Sequence, residues 1–244
     1  MMTNRFKLDM YLSPQTAPLF DELQKVVCAD IDFTTCLPKS FSPLLYLGQI
    51  CGIDFARSAA GDYRYLATFT LDEKAVPTGY YRSVLVSPVK GGLTALDAFD
   101  PDKHIVAVNE PGSFSGSLTF ARTVLGSGQS CFPHIVLTGS HAASLNFVAH
   151  SKAMLASIDC VSFDMVMRQD EQVRKQVRVL GYTEPYPGLP FVTSGGMPDD
   201  ICALMTDRLL RFMDGERKGI WSDRLGVCGI AKLPEDKYQQ MRLV

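Results

Sequence analysis

Between His104 and Gln176 the chain passes three times from an apolar strand-like stretch into a helix-like one, and this alternation constrains the fold more than any other feature. HIVAV leads into SGSLTFARTVLG, FPHIVLTGS (132–140) into HAASLNFVAHSKAML, and ASIDCV into a helix expected from Ser162 to about Gln176. Parallel strands need a crossover between them, and a helix supplies one, so three such units in a row predict a parallel sheet wrapped by helices. Ligands of such sheets sit beyond the carboxyl ends of the strands. All three carboxyl ends here are small and polar: Pro111-Gly112-Ser113-Phe114-Ser115-Gly116, then Thr138-Gly139-Ser140-His141, then Asp159-Cys160.

One hydroxyl is enough to cap a helix, because a single Ser or Thr side chain satisfies one free amide of the first turn. The first junction holds Ser113, Ser115 and Ser117 with Gly112 and Gly116. Surplus small donors at a helix start suit an anion, since free amides and the positive end of the helix dipole both favour negative charge there. Each residue alone also has a local reading. A serine here can be a cap, His141 a helix-start hydrogen bonder, Asp159 the cap of the next helix and Cys160 a buried strand-end thiol. Recurrence at three equivalent junctions is what points to a site.

The rest of the chain extends the α/β pattern. RFKLDMYL (5–12) reads as a strand and PLFDELQKVV (18–27) as a helix with Leu19, Leu23, Val26 and Val27 on one face. FSPLLYLGQICGI (41–53) feeds a glycine turn, and YRYLATFTL (63–71) and YYRSVLVSP (80–88) are rich in β-formers. VRVLGYTEPYPGLPFVTS (177–194) is one long extended piece broken by prolines, and PDDICALMTDRLLRFMDGE is a closing helix with its acidic residues in the first turn.

A net charge of −2 over 244 residues, with no basic block, lacks the electrostatic footprint of a nucleic-acid or membrane-surface binder. No run of about eighteen apolar residues predicts a membrane span. The opening MMTNRFKLDMYLSP has no secretory apolar core, which predicts a cytoplasmic protein, or a periplasmic one if a leader has been removed. Seven cysteines without a CxxC pair (Cys28, Cys36, Cys51, Cys131, Cys160, Cys202 and Cys228) read as reduced thiols. Four histidines without HExxH spacing give no expectation of a metal, and no cofactor motif is present. The expected partner is a small anionic metabolite.

The segments GYYRSVLVSP, VAVNEPGSFSG, LTGSHAASL and SIDCVSFD, in this order and spacing, resemble the phosphate/phosphonate-binding branch of the type 2 periplasmic substrate-binding proteins. The resemblance runs from about residue 49 to about residue 190 and is greatest to signal-less members of that branch. It implies two α/β lobes of mixed sheets flanked by helices, joined by two extended crossovers, with the ligand in a cleft between the lobes. Lobe 1 would be residues 1–84 plus 186–244 and lobe 2 residues 85–185, with crossovers near 82–88 and 178–186. The S-x-S-G that holds phosphonate oxygens in the family corresponds to Ser113, Ser115 and Gly116, and the ligand-contacting Ser-His to Ser140 and His141. The resemblance further assigns Tyr81, Tyr11 and Gln49 to the ligand, and Asp159 lies close by. Family members commonly place an acidic or amide residue before the proline of the returning crossover, but this chain has Leu189 before Pro190, which argues against an aminophosphonate. An ABC transporter is the implied partner if a leader was removed.

Two functions follow. One is a non-catalytic binder of a small anion that closes around it. The other is an enzyme on the same fold with His141 or Cys160 as the reacting group. A regulator's effector domain is a third reading, but no DNA-binding helix pair accompanies it. The cysteine pattern predicts that unfolding under non-reducing conditions exposes seven titratable thiols. Fewer would reveal a disulfide.

Overall fold

The computed structural model describes residues 5–37, 44–73, 75–126 and 132–243. The chain divides into two compact units, one of Met1–Tyr80 with Pro187–Leu243 and the other of Tyr81–Tyr186. In chain order the first unit opens with β1 (Phe6–Lys7), α1 (Ala17–Val27), α2 (Phe33–Cys36), β2 (Leu47–Gln49), α3 (Gly52–Arg57) and β3 (Tyr63–Leu71). A short strand, β4 (Tyr80–Tyr81), leads into the second unit. There follow β5 (Ser83–Pro88), β6 (Val106–Val108), a π-helical turn (Phe114–Leu118) continuing as α4 (Thr119–Leu125), β7 (Ile135–Leu137) and α5 (His141–Ala149). The unit closes with β8 (Leu155–Asp159), α6 (Cys160–Gln169), α7 (Glu171–Gln176) and β9 (Val177–Tyr182). β10 (Tyr186–Pro187), which pairs with β4, returns the chain to β11 (Pro190–Ser194), α8 (Asp199–Phe212), α9 (Glu216–Leu225), β12 (Val227–Ala231) and α10 (Asp236–Gln239) of the first unit.

The sheet of the first unit has the order β1-β2-β11-β3-β12, with β1 and β2 parallel and β11 antiparallel to both β2 and β3. Its core is aromatic. Trp221 of α9 lies 5.2 Å from Phe20, 5.5 Å from Phe69 and 5.7 Å from Phe212, measured between ring centroids, and is fully buried. α1 turns Phe20, Leu23 and Val27 inward, so its buried stripe is not the expected Leu19, Leu23, Val26 and Val27. The strand expected over 5–12 pairs only at Phe6–Lys7, because the Asp9 carbonyl then accepts from the Leu12 amide and the chain turns.

The sheet of the second unit has the order β7-β6-β8-β5-β9. The three strands read from the repeat, β7, β6 and β8, are parallel, and β5 and β9 extend the sheet in antiparallel fashion, making it mixed. β5, β6 and β8 are buried along their whole lengths, as strands covered on both faces require, and Leu85, Val106, Val108, Phe120 and Leu155 form the core beside them. The helix expected from Ser162 starts at Cys160, since the Asp159 carboxylate accepts from the Ser162 amide three residues on. It also breaks in two at Asp170, whose carboxylate accepts from the Val173 amide and starts α7. The extended 177–194 piece is three separate strands. Residues 41–43 of the 41–53 segment, and Cys131, lie outside the described residues.

Truncating Trp221 to Ala should remove about 3–5 kcal/mol of stability, because the aromatic cluster around it cannot collapse to fill the void. Chemical denaturation followed by circular dichroism measures this, and a loss under 1 kcal/mol would contradict the packing described.

Candidate functional site

The carboxyl ends of β6, β7 and β8 each hand the chain to a helix, and in each case one side chain is committed to capping. Ser113 Oγ accepts from the Gly116 amide at 3.1 Å, Ser140 Oγ from the Ala143 amide at 3.1 Å, and Asp159 Oδ1 from the Ser162 amide at 3.0 Å. Ser115 is left over. Its side chain caps nothing and instead lies 3.1 Å from Nε2 of His141. The cap at the first junction is therefore Ser113 and the surplus hydroxyl is Ser115.

The Ser115 position depends on an unusual turn. Both the Ser117 and Leu118 amides donate to the Ser113 carbonyl at 3.1 Å, and the Thr119 amide reaches back to the Phe114 carbonyl, so the helix begins one residue per turn too wide. The widened turn leaves the Ser115 carbonyl open to side-chain donors. Ser157 Oγ of β8 donates to it at 2.7 Å and Ser83 Oγ of β5 at 3.2 Å. Both serines are buried in mostly apolar strands, Ser83 at the start of SVLVSP and Ser157 within LASID, which is the signal by which the sequence marks them. Neither belongs to the residues expected from the motifs.

His141 is the first residue of α5, placed there by extended Ser140 and by Gly139 at φ +82°. Its Nε2 lies 3.3 Å from Oδ2 of Asp159, so a hydroxyl and a carboxylate share one ring nitrogen. Its buried Nδ1 makes no hydrogen bond of good geometry. Burial pushes the imidazole pKa below its usual value, and the Asp159 carboxylate, the Ser157 backbone and Glu110 oppose that shift without reversing it. With a carboxylate on Nε2, the neutral ring carries its proton there, since a bare lone pair would face negative charge. Ser115 Oγ then accepts from Nε2–H and keeps its own proton for another acceptor.

Gly116 closes this cluster. A methyl group at its Cα would stand 1.8 Å from Asn109 Oδ1 and 3.1 Å from His141 Cε1, so the two side chains meet over a glycine that has no room for more. Asn109, just after β6, was not among the expected site residues; its Oδ1 is buried without a hydrogen-bond partner. The first-turn amides of Phe114, Ser115, His141 and Ala142 precede the first intrahelical bonds of their helices.

Of the expected residues, the structure thus gathers Ser115, Gly116, His141 and Asp159, with Ser113 two residues before Ser115 as the cap. Ser140 is an exposed cap. Tyr81 is buried in β4. In the first unit, Gln49 is fully buried in β2, with Nε2 donating to the Leu189 carbonyl at 3.5 Å and Oε1 unpartnered, and Tyr11 is buried with its carbonyl accepting from the Thr16 hydroxyl at 2.8 Å. Among the described residues no group of His, Cys, Asp and Glu is arranged to hold a metal, and no helix is long and apolar enough to cross a membrane.

Two units, each a mixed sheet flanked by helices, define the fold class of this chain. The family model described as "ABC transporter, phosphonate, periplasmic substrate-binding protein" matches residues 12–238, and the chain belongs to that family. A search of curated proteins finds no match. Among solved structures, the chain is similar to a binding protein component of an ABC phosphonate transporter from Pseudomonas aeruginosa (TM-score 0.75, 14% identity, 97% of this chain and 83% of that one). It is also similar to a Xanthomonas citri protein bound to ATP (TM-score 0.67, 13% identity, 97% and 94%). A third similar structure is PhnD1 from Prochlorococcus marinus in complex with methylphosphonate (TM-score 0.65, 13% identity, 91% and 80%). At these identities the likeness is one of fold.

Replacing Ser113 by Ala should cost about 1 kcal/mol through the lost cap. Gly116→Ala should cost more, because its methyl group displaces Asn109, so the fold does not absorb it silently. Urea denaturation of the two variants gives the order, and a Gly116→Ala protein as stable as the parent would contradict the contact with Asn109.

Proposed function

We propose that this protein is a non-catalytic binder of a small oxyanion such as a phosphonate or phosphate monoester, held in the second unit by Ser115, Gly116 and His141 at the starts of α4 and α5. The observation that carries this reading is the uncommitted hydroxyl of Ser115. It is buried, held by its own pinned carbonyl, oriented by His141, and surrounded by first-turn amides that favour negative charge. Family membership supports it, as do the ligands named for the similar structures from Prochlorococcus marinus and Xanthomonas citri. Asp159 acts through His141, and Tyr81, Tyr11 and Gln49 are ligand residues on the strength of the resemblance.

The geometry favours binding over catalysis. A serine–histidine–acid relay needs the acid on the ring nitrogen opposite the serine, where it steadies the imidazolium formed as the serine loses its proton. Here Ser115 and Asp159 meet the same nitrogen, Nε2, and Nδ1 is not held by an acid. Cys160 is buried at the start of α6, with its amide donating to the Arg82 carbonyl. A transporter subunit as partner follows from the family description and belongs to this proposal. A reducing compartment is the alternative to that transporter role, and the six described cysteines, all free thiols, suit it.

Methylphosphonate or inorganic phosphate in excess should raise the melting temperature, since a ligand bound only by the folded state stabilises it by RT ln(1 + [L]/Kd). Ser115→Ala should lose most of that rise while keeping the parent stability to within about 1 kcal/mol, because the cap is Ser113. An unchanged response in Ser115→Ala would exclude this hydroxyl as the anchor.

A further inference from the structure

Among the described residues, the charged groups that act on the His141 ring include no cation, and this restricts the charge state of what the proposed anion site binds. Ser115, Gly116, Asn109 and Ser157 are neutral, and the charged groups acting on the His141 ring are Asp159 at the end of β8 and Glu110 in the loop after β6, both anionic. The Asp159 side chain is 5% exposed and the His141 side chain 13%, so solvent screens neither well. We propose that the site binds its oxyanion together with one proton: a phosphonate or phosphate enters as the monoanion beside neutral His141, or as the dianion with an imidazolium, but not as the dianion beside a neutral ring. The inference rests on the oxyanion-binding reading and adds the charge class of the ligand and its regulation by pH.

Three observations carry it. The Asp159 carboxylate lies 3.3 Å from Nε2, so a dianion placed on Ser115 Oγ and the adjacent amides would bring more negative charge beside an existing carboxylate, and no cation is among the groups acting on the His141 ring to offset it. The cluster holds two buried polar atoms without hydrogen-bond partners, His141 Nδ1 and Asn109 Oδ1, and a proton delivered with the ligand gives one of them a partner. The free ring does not already hold that proton at neutral pH, because burial lowers its pKa. The sign follows. With the free ring neutral and the complex holding one extra proton, dianion binding takes up a proton, and affinity falls as pH rises through the range where the free ligand loses its second proton.

Calorimetric titration with methylphosphonate from about pH 6 to about pH 9, in two buffers of different ionisation enthalpy, reads this directly. Expected are uptake of about one proton per ligand at the high end and an affinity falling about tenfold per pH unit there. Methanesulfonate, similar in shape but a monoanion with no second proton to lose, should show neither effect. Asp159→Asn keeps a residue that caps helices well and should flatten the methylphosphonate profile. Methylphosphonate binding with no proton uptake and an affinity constant across the range would overturn the inference and leave oxyanion binding standing. Failure of methylphosphonate, phosphate and methanesulfonate to bind at any pH would overturn both.

Discussion

Two serine hydroxyls on one carbonyl hold the candidate site together. Ser83 from β5 and Ser157 from β8 both donate to the Ser115 carbonyl, and they do so from buried positions beside Asp159, which pairs across the sheet with Ser83. A regular α-helix would turn that carbonyl along its own axis toward an amide in the next turn. The π turn at Phe114–Leu118 leaves it open, and the two hydroxyls give it partners. The consequence is positional. Once the carbonyl is fixed to the sheet, the Ser115 hydroxyl has one place to go, which is the His141 ring.

The three helix starts divide their labour by side-chain type. Ser113, Ser140 and Asp159 each satisfy an amide of their own helix, so none of the three junctions relies on the ligand for its local stability. Ser115 and the unmatched atoms of His141 and Asn109 are what remains for recognition. Asp159 serves twice, capping α6 through one oxygen and setting the His141 tautomer through the other, and that coupling makes the protonation state of the site depend on the end of the central strand β8 that positions Asp159. Neutral donors with one titratable ring suit a buried anion, because a neutral donor costs less to desolvate than a charged one when the site is empty.

Much of this was legible in the sequence, and the parts that were not share a physical reason. Periodicity separated the strands from the helices of the three repeated units, and small polar residues at each carboxyl end marked Ser113, Ser115, Gly116, Ser140, His141 and Asp159 in advance. The division between cap and surplus hydroxyl was not legible, because Ser113 and Ser115 are equally good caps and only the π turn distinguishes them. Asn109, Ser83 and Ser157 lie inside the segments VAVNEPGSFSG, GYYRSVLVSP and SIDCVSFD but were missed, because a single polar residue in or beside an apolar stretch signals nothing by itself; what gives these residues meaning is a carbonyl or a glycine from another element. α9 went unread since only Trp221 and Leu225 of its ten residues are buried and Gly219 interrupts its charged face, and β12 followed it unnoticed. The mixed sheet has the same origin, because strand direction is a property of topology and β5 reads alike in either sense.

The central claim is that His141, held through Nε2 by Ser115 and Asp159, is the group through which the site meets its ligand. Nitrogen-15 NMR of the histidine side chains tests it most directly. In the free protein at neutral pH, the His141 ring should be neutral with its proton on Nε2 and a bare Nδ1, and saturation with methylphosphonate should shift both ring nitrogens while His104, His134 and His150 stay in place. A ring protonated on Nδ1 alone, or one that does not respond when methylphosphonate binds, would contradict the claim.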